Sequence, residues 1–124
     1  MADEKEIKDE ITLSRCSNCG LCKVNCPTFR ATTNEAIGPR GRMFVAKKNI
    51  LDEVFYKCSI CGACKIKCPA GVEIEQEIIR MREKMVKTGK GLKGNEIMIK
   101  NIRETGNPYG KVEKGKIPKE LYCC

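Results

Sequence analysis

Two runs of cysteine carry the residues most able to do chemistry in this chain. The first run contains Cys16, Cys19, Cys22 and Cys26 followed by Pro27, and the second contains Cys58, Cys61, Cys64 and Cys68 followed by Pro69. Every cysteine of the first run recurs 42 positions later. This repeated C-x2-C-x2-C-x3-C-P spacing is one by which thiolates hold cubane [4Fe–4S] clusters. The sequence therefore predicts two such clusters.

The spacing also predicts which cysteines share a cluster. Three thiolates at three-residue intervals can wrap three iron corners of a cubane, and the fourth corner needs a thiolate from elsewhere in the chain. The longer gap before the fourth cysteine and the proline after it lead the chain away from its own loop. We therefore expect two crossed ligand sets, namely Cys16, Cys19, Cys22 and Cys68 for one cluster, and Cys58, Cys61, Cys64 and Cys26 for the other.

The chain is too poor in aromatic residues to build a large ordinary core. It has 124 residues, with three Phe, three Tyr and no Trp. This length fits one small domain, or a small domain with a tail. Because ligation free energy contributes to folding, metal clusters can replace part of a missing core. We expect the protein to be largely unfolded without its clusters.

Other uses of ten cysteines are weaker explanations. A disulfide scaffold would suit a secreted protein, but the acidic N-terminus lacks the apolar run of a signal peptide. No apolar stretch approaches the roughly 18 to 20 residues of a membrane helix. We therefore expect a cytoplasmic protein without a transmembrane segment. Zinc in both four-cysteine sites, as a structural module, remains an alternative of another class, and it would be colourless.

The formal charge of +8 gives little support to nucleic-acid binding. Four thiolates on an oxidised cubane leave about −2 per cluster, so two clusters would bring the net charge to about +4. The Lys and Arg residues are also spread along the chain instead of forming one block. We predict no nucleic-acid partner. The absence of His excludes Rieske-type ligation.

The pattern between and after the loops predicts an all-α fold. Residues 28–34 read as a turn-rich linker, and Gly38-Pro39 opens a central helix whose apolar period runs from Arg40 to Phe55. A second helix is predicted from Gly71 to Lys87, with a buried stripe of Ile and Met, and a short amphipathic piece from Glu96 to Thr105. The predicted domains are an N-terminal segment (1–13), a two-cluster domain (14–88), and a linker, short helix and extended tail (89–124).

Basic residues near the cysteines have competing explanations. Arg40 and Arg42 lie in the first turn of the central helix, where the macrodipole disfavours cations. Either they pair with Glu35 or another nearby acid, or one faces the cluster region or a carboxylate of a partner, where it would raise a cluster's potential. Lys23 and Lys65 follow the third cysteine of each run. They either dock an acidic partner or solvate the loops.

Motifs beyond the cysteines give the sequence a family resemblance. They are the helix opening Gly38-Pro-Arg-Gly-Arg42, the stretch Cys68-Pro-Ala-Gly-Val-Glu-Ile74, and Asn101 to Gly110. Over about residues 14–110 the chain resembles the dicluster module of the heterodisulfide reductase and glycolate/lactate oxidase iron–sulfur family. The resemblance implies an α-helical ferredoxin fold with two [4Fe–4S] clusters, acting in anaerobic metabolism.

The family resemblance also implies a role in a larger complex. The chain would relay single electrons between a flavin or ferredoxin-type donor and a CCG-domain subunit with thiol or disulfide chemistry, within a hetero-oligomer, and would not be catalytic alone. The tail from Ile117 resembles the first strand of a CCG domain, but Cys123-Cys124 stands where the family usually has Gly-Cys. Alternatives are a subunit of a glycolate, lactate or succinate/fumarate oxidoreductase, and a free diffusible ferredoxin.

Overall fold

The computed structural model describes residues 13–118. The predictions for the N-terminal segment up to residue 12 and for the Cys123-Cys124 pair lie outside these residues. Within residues 13–118 the secondary structure is helical and contains no strand. The predicted all-α fold class is therefore confirmed. The chain divides into two compact units, one ending at Met85 and the other beginning at Val86.

Five α-helices and two short 3-10 turns make up the regular structure of the described residues. The helices are α1 (Pro27–Thr32), α2 (Pro39–Lys47), α3 (Ala63–Ile66), α4 (Ile74–Lys87) and α5 (Lys93–Thr105). The 3-10 turns cover Leu21–Lys23 and Glu53–Phe55.

The predicted central helix is wrong beyond Lys47. Helix α2 ends there, and Asn49 adopts a left-handed conformation with φ of 52°. Asn tolerates this conformation better than most residues, because its short polar side chain can hydrogen-bond locally. Asp52 then begins a separate 3-10 turn by accepting a hydrogen bond from the Val54 N–H at 2.9 Å. The apolar period continues through this break because both segments face the same core.

The linker predicted at residues 28–34 is also wrong, since most of it is helix α1. Pro27 occupies the first turn of this helix, where its missing N–H costs nothing. The Sγ atom of Cys26 accepts a hydrogen bond from the Phe29 N–H and caps the helix. Thr33 ends it in a left-handed conformation. The cysteine therefore fixes the start of a helix as well as lying in the loop.

The core of the first unit is small and contains the predicted stripe of α4. Its fully buried side chains include Met43 from α2 and Phe55 from the 3-10 turn. The prediction that the Ile and Met residues of α4 form core is confirmed, because Ile74, Ile78, Met81 and Met85 are all buried. Each such side chain stabilises the fold by about 2 kcal/mol relative to exposure.

A glycine in α2 allows that helix to approach the preceding turn closely. A Cβ atom placed on Gly41 would lie 2.0 Å from the carbonyl oxygen of Glu35 and 2.9 Å from the Cα of Ala36. Any side chain at this position would therefore collide with backbone. Gly41 is the second glycine of the Gly-Pro-Arg-Gly-Arg motif, and its role is to seat α2 against residues 34–37.

The second unit contains helix α5 and the turn after it. The predicted amphipathic piece from Glu96 to Thr105 is a helix, as expected, but it begins earlier, at Lys93. Gly106 ends it with φ of 71°. The side-chain amide of Asn101 donates to the carbonyl of Pro108 at 2.9 Å and holds the following turn against the helix.

Candidate iron–sulfur centres

The two cysteine loops share an unusual backbone conformation. The second residue after the first cysteine is left-handed in both, with φ of 57° at Asn18 and 53° at Ile60. The glycine after the second cysteine is left-handed too, with φ of 89° at Gly20 and 73° at Gly62. A short helical turn then carries the third cysteine in each loop. The sequence repeat is therefore a repeat of structure, with each loop curled so that its three cysteines converge.

The first cavity is lined by the three cysteines of the first loop together with the last cysteine of the second. Arg40 and Ile74 also line it. Its four cysteines are Cys16, Cys19, Cys22 and Cys68.

The second cavity has the reciprocal composition. Arg42 and Glu75 line it beside the cysteines. Its four cysteines are Cys26, Cys58, Cys61 and Cys64. The structure thus brings together the same two crossed sets of four cysteines that the spacing predicts as ligands.

Burial disfavours the thiolate form of the third cysteine in each loop. It raises the pKa of Cys22 to about 11, with the neighbouring charges of Cys16, Cys19 and Cys68 adding to the effect. It likewise raises the pKa of Cys64 to about 12, assisted by Cys58 and Glu75. Metal ligation needs deprotonated thiols, so loading of both sites must release protons.

Backbone and hydroxyl groups of the chain are directed at several sulfur atoms. Burial works against the Cys26 thiolate, but hydrogen bonds from Thr28 and the Phe29 N–H outweigh it and lower the pKa of Cys26. The N–H groups of Ile60 and Val72 donate to the sulfurs of Cys58 and Cys68, each at 3.4 Å. Such N–H···S bonds are one of the means by which proteins set the potential of iron–sulfur clusters.

The residues around both cavities fit a [4Fe–4S] cluster. Each cavity presents four free cysteines, and soft thiolates are the ligands that iron–sulfur clusters take. Among residues 13–118, no three His, Cys, Asp or Glu side chains lie close enough together to hold a single metal ion.

Arg40 fits both explanations given for the arginines of α2, because it pairs with an acid and also lines a cavity. Arg42 fits only the second explanation. Arg40 pairs with Glu35, at 3.1 Å between Nε and Oε2, and also lines the first cavity. Arg42 is 1% exposed and lines the second cavity. Its guanidinium donates to the carbonyls of Val54 at 2.9 Å and Lys57 at 2.8 Å. It therefore holds the segment that leads into the second loop.

The lysines after the third cysteines are both paired within the chain. Lys23 forms an ion pair with Glu35, and its ammonium lies 5.0 Å from the centre of the Phe29 ring. Lys65 lies 3.1 Å from Glu73 and 3.4 Å from Glu75. These internal pairs reduce the charge that either lysine can offer a partner. A role for them in docking stays a prediction.

Two residues that the sequence reasoning missed, Arg82 and Glu75, belong to the second site. The guanidinium of Arg82 donates to the carbonyls of Phe55 at 2.7 Å and Cys58 at 2.6 Å, and stacks on Tyr56 at 5.4 Å. Burial lowers the pKa of Arg82. Helical spacing could have found both residues, because Glu75 and Arg82 lie three before and four after the buried Ile78.

This fold and these sites define an iron–sulfur protein of the electron-transfer class. Residues 12–72, about half of the chain, match the model of the 4Fe-4S dicluster domain. That segment is a 4Fe-4S dicluster domain, as the sequence resemblance predicted.

A curated relative supports the narrower resemblance over a shorter stretch. The chain is similar to the glycolate oxidase iron-sulfur subunit of Escherichia coli (strain K12), with 34% identity over 44 residues. The matched stretch is 36% of this chain and 11% of that subunit, so the chain corresponds to a small part of its relative. None of the helices within residues 13–118 has the length and apolar character needed to cross a membrane.

Proposed function

We propose that the chain is an electron-transfer subunit that carries two [4Fe–4S] clusters within an oxidoreductase complex. The observation that carries the proposal is the pair of neighbouring cavities, each lined by three cysteines of one loop and the fourth cysteine of the other. When bound, the clusters would supply one-electron chemistry. Because each site takes a cysteine from both loops, the protein would hold the two clusters at a fixed separation, as a relay requires.

The residues of the chain would position the clusters and set their surroundings. The cysteines would bind them, and the N–H groups of Phe29, Ile60 and Val72 would donate to bound sulfur. Arg42 and Arg82 would fix the backbone that enters the second loop. The reaction on the final substrate would belong to other subunits, so we propose that this chain is not catalytic alone and that the complex is cytoplasmic.

For the complex itself, we propose the heterodisulfide-reductase type, with a flavoprotein as donor and a CCG-domain subunit as acceptor. The support is the family resemblance of the motifs around residues 38–42, 68–74 and 101–110. A second candidate is a glycolate, lactate or succinate/fumarate oxidoreductase, and the similarity to the glycolate oxidase iron-sulfur subunit favours it specifically. In both, the chain would transfer electrons between partners and bind no nucleic acid.

Anaerobic purification of the native protein tests the cofactor. Two cubanes require about eight iron and eight sulfide per chain, with a brown colour and broad absorption near about 400 nm. A colourless protein with zinc in place of iron would establish the structural module instead. Mass spectrometry of the co-purifying subunits tests the complex, because a CCG-domain subunit and a glycolate-oxidising flavoprotein identify different systems. A brown protein that purifies alone would be a diffusible ferredoxin.

Variants of the cysteines test the crossed ligand sets. Replacing all three of Cys16, Cys19 and Cys22 with Ala should leave one cluster, held by the second loop. We then expect Cys26→Ala to destroy that remaining cluster, and Cys68→Ala to leave it intact. Iron content and the electron paramagnetic resonance (EPR) spectrum of the reduced protein measure the result. The opposite pattern would show that each run binds its own cluster.

A further inference from the structure

Glu75 is a carboxylate placed at the second cavity without a full set of partners. Its side chain is 14% exposed, and it lines the cavity together with Cys58, Cys61 and Cys64. The Oε2 atom is buried, and no group among the described residues donates a hydrogen bond to it. A buried carboxylate oxygen without a hydrogen-bond donor costs folding free energy, so its position at the cavity calls for an explanation.

The cation that pairs with Glu75 compensates this charge incompletely. The Nζ atom of Lys65 lies 3.4 Å from Oε1 of Glu75, but it lies closer, at 3.1 Å, to Glu73. Lys65 is thus shared between two carboxylates and is itself half-exposed.

The first cavity has no counterpart to Glu75. Among the described residues no carboxylate lines that cavity, and its charged side chain is Arg40. The nearby Glu35 lies outside it, 46% exposed and paired with both Lys23 and Arg40. In the 42-residue repeat, the position equivalent to Glu75 is Thr33, a neutral residue. The two otherwise duplicated sites therefore differ by a negative charge.

We propose that Glu75 tunes the cluster of the second cavity by lowering its reduction potential relative to the same site without this charge. The inference rests on the proposed function, since it requires a cluster in that cavity. Reduction adds one electron, and a fixed carboxylate at low dielectric disfavours added negative charge. The effect is confined to the second cluster, because Glu75 lines the second cavity and not the first. Lys65 moderates it from outside.

Glu75→Gln tests the proposal, with Glu73→Gln as the matched control. Both substitutions remove one negative charge and one partner of Lys65, but Glu73 is 51% exposed and does not line the cavity. The measurement is an anaerobic potentiometric titration of the purified two-cluster protein, followed by EPR. In Glu75→Gln we expect one midpoint potential to rise and the other to stay unchanged. In Glu73→Gln neither midpoint potential should change by as much as that rise.

Several results would decide against Glu75 as a tuning residue. Unchanged potentials in Glu75→Gln with full iron content would refute it, and so would equal shifts in both variants, which indicate only general surface charge. If Glu75→Gln cannot retain its cluster, Lys65→Met decides: one lowered potential supports the proposal, and unchanged potentials overturn it. Failure of the proposed function is distinguishable, because the wild-type protein itself would then lack [4Fe–4S] clusters.

Discussion

Gly41→Ala separates the local preference of a helix from the packing demand of the fold. Judged by helix propensity alone, Ala should stabilise an internal position of α2 by about 1 kcal/mol relative to Gly. The structure predicts the opposite sign. The added Cβ would lie 2.0 Å from the Glu35 carbonyl oxygen, 2.8 Å from its carbonyl carbon and 2.9 Å from the Cα of Ala36.

The cost of Gly41→Ala follows from what must move. To relieve the contact, residues 34–37 must withdraw from α2 by about 1 Å, and inserting a methyl into well-packed structure costs about 1–3 kcal/mol. The displaced Glu35 carbonyl also shares the Gly38 N–H with the Asn34 carbonyl, each at 3.1 Å, and losing this share adds less than about 1 kcal/mol. After subtracting the gain in propensity, we expect a net loss of about 2 kcal/mol.

Anaerobic urea unfolding of the cluster-loaded protein measures this loss. With a slope of about 2 kcal/mol per molar urea, the midpoint should fall by about 1 M. Gly62→Ala is a control, since a Cβ there meets nothing within 4 Å and only the left-handed backbone is strained, at about 1–2 kcal/mol. A midpoint for Gly41→Ala equal to or above that of the wild type would refute the packing argument.

Two further predictions concern charged side chains of the first unit. Arg42→Met should lower the free energy of unfolding by about 2–5 kcal/mol, because the carbonyls of Val54 and Lys57 lose their donor. Arg40→Met, which removes an exposed ion pair, should lower it by less than about 1 kcal/mol. Equal urea midpoints for the two variants would contradict this prediction. The ion pairs with Lys23, and then with Arg40, lower the pKa of Glu35 from its ordinary 4.5. A carboxyl whose pKa is lowered in the folded state stabilises the protein at pH values above its ordinary pKa. That stabilisation is lost as the pH falls through the lowered pKa. The gap in urea midpoint between wild type and Glu35→Gln should therefore shrink below pH 4.5, and a gap that stays constant would show that the ion pairs contribute nothing.

The two sets of four cysteines could be predicted because they follow from the spacing of residues along short stretches of the chain. Spacing of three residues within a run limits how the loop can curl, and the departure of the fourth cysteine implies an exchange between loops. The stripe of α4 could be predicted for the same reason, since helical period and burial coincide there. The segment from Lys48 to Phe55 could not, because its apolar residues keep a helical period although Asn49 turns the backbone out of the helix.

The roles of individual charged residues could not be assigned from their sequence neighbours. The helix dipole disfavours Arg40 and Arg42 alike, yet Arg40 remains near the surface while Arg42 is buried. Arg42 is stabilised there by carbonyls 12 and 15 residues away. In the sequence Glu75 is one of several acids near a helix start, and its position at the second cavity depends on how α4 meets the second loop.

The sequence by itself predicted the kind of chemistry, the eight cysteines and their crossed arrangement, because these predictions follow from residue type and spacing along one chain. Only the tertiary structure decided which charges face each cavity and why Gly41 must lack a side chain. Those features depend on contacts between segments whose approach is governed by packing and by buried hydrogen bonds, and no local pattern records them. The duplicated loops look alike as sequence, but their surroundings make the two sites electrostatically different.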